Sequence, residues 1–319
     1  MTEQSQKSTQ QMIEVPTFID IVDFLGPKDA YLLLVKRQCD VRAKLEGRNL
    51  YVFGDEAKVS RAVLVLEKML EVLGTGEKVL EQDVDLYLRQ SEQGHITETS
   101  NDVLLKMGKT VVVKAKTPHQ KEYADAIENN IITFAIGPSG TAKTYLAVTQ
   151  AIKAFLEKKI EKIVITRSPI PLSGMDLGFL PGTSNDKMMP YVAPLTNVFL
   201  EFFTPEKFKT LLDADKISIV PLAYIRGYSL KNSFVIVDEA QNLGIDGFKS
   251  IMTRLGVGSK LVICGDECQS DIGSRSGLEK AANIMKTADG VSVIRMSEED
   301  IVRSGIVAEV IRRFSEAGY

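Results

Sequence analysis

Lys143 and Thr144 close an eight-residue stretch, Gly137-Pro138-Ser139-Gly140-Thr141-Ala142-Lys143-Thr144. Its residue types and spacing are those of a phosphate-binding loop. Small residues let backbone N–H groups turn inward toward an anion, and the N-terminus of a following helix adds partial positive charge. Lys143 is placed to reach the outer phosphates of a nucleotide, and Thr144 to give its hydroxyl to Mg²⁺. Tyr145 follows directly and is counted with residues 137–144 in the nucleotide-holding set. Ala142 stands where such loops carry a second glycine. If that site needs φ > 0, alanine costs about 1 kcal/mol there. The bland alternative is a Gly-rich turn before a buried helix.

A second signal is acidic. The apolar run Phe234–Val237 ends in Asp238-Glu239-Ala240-Gln241. A carboxylate at the end of a buried strand beside a phosphate loop holds Mg²⁺, so Asp238 is the metal candidate with Thr144. Glu239 is placed to orient and polarise an attacking water. Gln269 lies just beyond the run Leu261–Asp266, where a strand-end amide can sense a γ-phosphate. Upstream, Gln120 has an aromatic residue, Tyr123, three positions on. The pair could read adenine by amide and by stacking; equally, Gln120 could be a plain surface residue.

These groups need a scaffold. Ile131–Ile136 reads as a strand entering the loop, and Leu146, Val148 and Ala151 as a helix leaving it. Lys162–Arg167, Lys216–Pro221, Phe234–Val237, Leu261–Asp266 and Val291–Arg295 read as further strands. Ser297 is read as the cap of a helix from Glu298, and 306–314 as a closing helix. Strands alternating with helices imply a mostly parallel sheet with helices on both faces and its ligand at the strands' carboxyl ends. The long Gly/Pro-bearing stretch Ser173–Pro194 is of the kind that is functional or mobile.

The first part of the chain has another character. Residues 1–12 read as a disordered tail, 13–76 as an α+β module, 77–115 as a linker with a possible hairpin, and 116–319 as the nucleotide-binding domain. Within the module, Phe18–Leu25 reads as a strand, Asp29–Gln38 as a helix, and Val41–Leu45 with Leu50–Phe53 as a hairpin. Asp55 reads as the cap of a long helix, Glu56–Leu73. That order is KH-like, without the G-x-x-G loop that clamps a nucleic-acid backbone. A small structural or oligomerisation module explains it equally well. Lys106, Lys109, Lys114, Lys116 and Lys121 make the following stretch locally basic and able to touch nucleic acid.

Net charge is −3 over 319 residues, which excludes a protein that coats nucleic acid by bulk charge. Three cysteines, Cys39, Cys264 and Cys268, suit a reducing compartment and exclude a disulfide framework. With only His95 and His119 to help, they make no zinc site. Neither a secretory leader nor an apolar run long enough to span a membrane is visible. The expectation is a cytoplasmic protein.

Taken together, Lys116-Thr117-Pro118 with Gln120, GPSGTAKT at 137–144, ITR at 165–167, LGFLPG at 177–182, PLAYIRG at 221–227, DEAQN at 238–242 and TRLGVGSKLVICGD with Gln269 resemble the PhoH family of P-loop ATPases. The strands bearing DEAQ and GD-x-x-Q also resemble motifs of superfamily 1 helicases. The resemblance implies a RecA-like P-loop NTPase fold preceded by the KH-like module, and ATP binding and hydrolysis with Mg²⁺. It also implies a tie to RNA handling or phosphate-starvation regulation, and a homo-oligomer, a hexameric ring. The family pattern has Gly at Ala142, Arg at Ala193 and Glu at Met175, so this chain departs from it at three places. Arginines 167, 226, 254 and 303 are candidates to stabilise a transferring phosphoryl group, in cis or across a subunit boundary; Arg226 and Arg303 are the preferred pair. Two functions compete: an ATPase acting on single-stranded RNA, and a nucleotide-gated scaffold with slow turnover. A small-molecule kinase is a weaker third, since no acceptor pocket can be named.

Overall fold

An antiparallel three-stranded sheet opens the described chain. The structure, a computed structural model, describes residues 8–92, 96, 103–108, 111–167, 195–222, 225, 230–302, 307, 310 and 313. They fall into two compact units, one drawn from residues 1–98 and 301–313, the other from 99–300 and 314–319. In the first, strand β1 (Ser8–Glu14) is followed by helices α1 (Ile21–Leu25) and α2 (Ala30–Cys39), strands β2 (Arg42–Glu46) and β3 (Asn49–Asp55), and helices α3 (Glu56–Gly74) and α4 (Glu81–Ser91). The sheet order is β1-β3-β2.

The first strand is Ser8–Glu14, so the tail reading ends before residue 8. Phe18–Leu25 holds helix α1 instead of a strand, because the Asp20 side chain accepts from the Val22 N–H at 2.8 Å and starts a turn. A short apolar run is ambiguous by periodicity, and the cap decides it. The Asp55 cap is as expected: its carboxylate accepts from Ala57 N–H at 3.1 Å. Val59, Ala62, Val65, Leu66 and Met69 of α3 are buried at helical spacing against the sheet and α2.

In the second unit, β4 (Val103–Met107) and β5 (Val111–Lys114) form the hairpin. Then come α5 (Pro118–Asn129), β6 (Ile132–Ile136), α6 (Lys143–Leu156), β7 (Lys162–Arg167), α7 (Pro205–Asp213) and β8 (Ile217–Pro221). β9 (Ser233–Asp238), α8 (Ile245–Met252), β10 (Lys260–Gly265), α9 (Leu278–Met285) and β11 (Val291–Arg295) complete it. Six strands lie in the order β11-β6-β10-β9-β7-β8, every neighbouring pair parallel. β6 and β9 are buried throughout. Ala135, Ile163, Ile165, Phe234 and Ile236 pack on one face with α5 and α6, and Phe134, Val164, Val235, Val237 and Ile263 on the other with α8 and α9. Burial on both faces is why these strands read as continuous apolar runs.

Ser297 caps only a single turn, Glu298–Asp300, rather than a helix. Of 306–314, only residues 307, 310 and 313 are described, each helical. The stretch 173–194, with Met175 and Ala193, lies outside the described residues. Among the described residues, no helix is long and apolar enough to cross a membrane.

Candidate nucleotide site

The parallel order sets the site. β10 lies between β6 and β9, so the loop after β6 and the acids ending β9 rise at the same edge of the sheet. Gly137 makes the first turn possible: a Cβ there would lie 2.4 Å from the Met296 carbonyl oxygen. Gly140 has φ +87° and Ala142 φ +65°, so the second-glycine position is left-handed, as the loop pattern implies, and Ala142 carries that strain at the start of α6. Ala142→Gly therefore removes about 1 kcal/mol of strain, which should raise the unfolding midpoint by about 2–4 °C in a thermal melt.

Lys143 is buried and its ammonium donates to the carbonyls of Gly137 and Pro138, each at 2.7 Å. Burial lowers its pKa, and the surrounding acids Asp266, Glu239 and Asp238 work against that shift. The Thr144 hydroxyl donates to Asp238 Oδ1 at 2.6 Å. Burial raises the Asp238 carboxyl above its ordinary value, while the Thr144 bond and Arg167 pull it down. Arg167, opposite Asp238 in the β7–β9 register, donates to Glu239 Oε1 at 2.9 Å. The other Glu239 oxygen accepts from Gln241 Nε2 at 2.6 Å. Glu239 itself has φ +51°, an uncommon setting for a non-glycine residue and one found at functional sites.

Two expected nucleotide contacts meet other partners. Gln120 is buried, and its amide joins backbone to backbone: Oε1 accepts from Lys116 N–H at 2.8 Å and Nε2 donates to the Thr141 carbonyl at 3.4 Å. It thus ties the entry to α5 to the phosphate loop. Tyr123 is buried, with its hydroxyl 3.3 Å from both the Lys143 carbonyl and Cys264 Sγ, so it braces α6 from beneath. Thr117 caps α5 and donates to the buried Asp300 carboxylate, which also accepts from Ser297 N–H at 2.8 Å. Tyr145 turns toward Phe202, ring centroids 5.9 Å apart. Burial, with Glu201 adding, pushes its hydroxyl pKa up to about 12. Gln269 is exposed, and its backbone carbonyl, not its side chain, accepts from Gln241 at 3.3 Å. Arg254 is exposed; Arg226 and Arg303 lie outside the described residues.

Sequence reasoning passed over Asp266 and Gln241, which stood only as letters of longer motifs. Asp266 is buried, and Oδ2 accepts from the Ser139 N–H of the loop at 2.9 Å. An acid directly after a buried strand next to the loop strand was the signal that could have found it.

A loop between the first buried parallel strand and its helix, with lysine, threonine and a strand-end acid at its mouth, belongs to the P-loop NTPases. The chain belongs to the PhoH-like protein family, whose pattern matches residues 112–315. It is 35% identical over 324 residues to the PhoH-like protein of Mycobacterium tuberculosis (strain ATCC 25618 / H37Rv), covering 99% of this chain and 91% of the relative. The PhoH-like protein of Bacillus subtilis (strain 168) is 34% identical over 302 residues, covering 93% and 94%. Protein PhoH of Escherichia coli (strain K12) is 33% identical over 210 residues, covering 65% and 59%. Among solved structures, a Sulfolobus solfataricus SWI2/SNF2 ATPase core in complex with dsDNA overlaps with TM-score 0.33 at 14% identity, covering 59% of this chain and 46% of that one, too slight a likeness to carry an argument.

Proposed function

We propose that this protein hydrolyses ATP with Mg²⁺ and couples hydrolysis to single-stranded RNA, as a homo-oligomer, a hexameric ring, in the cytoplasm. The observation that carries the reading is the gathering of Lys143, the Thr144–Asp238 pair and Glu239 at the mouth of the left-handed loop. The residues present fit the nucleotide: the loop already gives a backbone N–H to a carboxylate, so it accepts an anion. They fit the ion too. Thr144 and Asp238 bring two hard oxygens together, and Mg²⁺ needs only one or two protein ligands beside phosphates and waters. Mg²⁺ bound with ATP neutralises charge on the transferring phosphoryl group. Lys143 and the backbone N–H groups of residues 139–144 bind and orient the phosphates. Glu239 orients the attacking water. Three free cysteines, Cys39, Cys264 and Cys268, suit the reducing setting.

The RNA contact belongs with the lysine-bearing stretch Lys106–Lys121. Residues 1–98 carry 17 Asp and Glu against 12 Lys and Arg, a poor electrostatic match for a phosphate backbone. The first unit, with β1 and α4 in its core, reads as a structural module, and the second, with the β4–β5 hairpin, as the ATPase domain.

A second reading has its own support. Both Glu239 oxygens are engaged, by Arg167 and Gln241, which favours slow turnover and a nucleotide-gated scaffold. Turnover of purified protein with Mg²⁺, with and without single-stranded RNA at two salt concentrations, separates the two. RNA should raise the rate several-fold, and the rise should shrink at higher salt as counterions compete. Slow turnover indifferent to RNA, with ATP-dependent assembly, replaces the first reading by the second.

A further inference from the structure

A line of hydrogen bonds crosses the carboxyl ends of four adjacent strands. It starts at the phosphate loop after β6, where Ser139 N–H donates to Asp266 Oδ2 at 2.9 Å. Asp266, just past β10, donates its own N–H to Gln241 Oε1 at 3.0 Å. Gln241 Nε2 donates to Glu239 Oε2 at 2.6 Å, past the end of β9. Glu239 Oε1 accepts from Arg167, the last residue of β7, at 2.9 Å. The path follows the sheet order β6-β10-β9-β7 without a gap.

Packing makes the line stiff. Gln241 is buried. Gly265 lets it lie across the end of β10: a Cβ there would come within 3.2 Å of Gln241 Oε1 and 2.6 Å of Leu278. Asp266 is also fixed by its second oxygen, which accepts from Cys268 N–H at 3.1 Å. With its middle members Gln241 and Asp266 buried and bonded on both sides, the half-buried ends at Ser139, Glu239 and Arg167 are held to that centre.

We propose that Asp266 couples the phosphate loop to Glu239, as a positioning residue that acts through Gln241; this rests on the ATPase reading above. Asp266 gives no atom to the reaction. It is an internal anion on a loop amide, so a phosphate entering the loop meets it first, by charge and by competition for the same N–H. Any shift of Asp266 is passed to Gln241, which holds the Glu239 carboxylate.

Asp266→Ala and Gln241→Leu test this, each alone and together, with ATP binding and turnover measured separately. Each single variant should lower kcat about 10-fold or more while ATP Kd stays within about 3-fold, and the double variant should be no slower than the worse single one, since residues on one path are not additive. A residue that merely holds the loop together would instead weaken binding with kcat kept. Additive losses, or loss of binding alone, overturn the proposal. Hydrogen exchange gives a readout that needs no nucleotide. The amides of Asn242 and Leu243 bond to Glu239 O and Ala240 O. In Asp266→Ala they should exchange about 5-fold faster or more, together with Ser139, if the turn after β9 is held through Asp266. Faster exchange at Ser139 with those two amides unchanged overturns the coupling. Should one variant fail to fold, the other carries the same exchange test. An inactive wild type would refute the ATPase reading alone, and exchange would still decide the coupling.

Discussion

Lys143→Ala weakens ATP binding by about 30-fold or more, because truncating one partner of a buried hydrogen-bonded charge pair costs about 2–5 kcal/mol. The setting explains the size. The ammonium is buried, and it already bonds to two loop carbonyls that point it across the mouth of the loop. Burial pulls its pKa down, so the charge is kept by its surroundings: the loop carbonyls and the acids Asp266, Glu239 and Asp238. An alanine keeps helix propensity at the start of α6 and removes the cation. Titration with a fluorescent ATP analogue reads the loss, and a thermal melt checks that the fold survives. Retained affinity in a folded variant removes Lys143 from the site.

Glu239→Gln separates binding from chemistry. Length and shape are kept, and the side-chain oxygen still accepts from Arg167 or Gln241. What is lost is the carboxylate proposed to polarise water, a contribution of about 10²–10⁴ in rate for a positioned base. Turnover should therefore fall by about 100-fold or more while ATP affinity changes little. Single-turnover hydrolysis beside equilibrium binding measures both. Undiminished turnover would take Glu239 out of its role.

Much of this was legible in the chain. The loop at 137–144 could be read because its chemistry is local: glycine where φ is positive or space is absent, then lysine and threonine on the first turn of a helix. The spacing marks Ala142 as the second-glycine position, and the structure gives it the left-handed φ of +65°. The apolar strands could be read because both their faces are buried, which leaves no polar alternation to confuse them. The short N-terminal run Phe18–Leu25 reads as a strand yet holds helix α1, because five or six apolar residues carry no period of their own. One aspartate side chain at residue 20 tips them into a helix.

The phosphate loop, the acidic strand end and the parallel sheet that brings them to one edge could all be read along the chain. These depend on neighbours along the chain, and their residue types leave few conformations open. Who partners whom came from the packing of distant segments. That Gln120 bonds to Lys116 and Thr141, that Tyr123 sits beneath Lys143, and that Asp266 reaches Ser139 across 127 residues are results of strand order. β10 is late in the chain yet lies between β6 and β9. No periodicity encodes that insertion; the packing of both sheet faces enforces it, and with it the line from loop to Glu239.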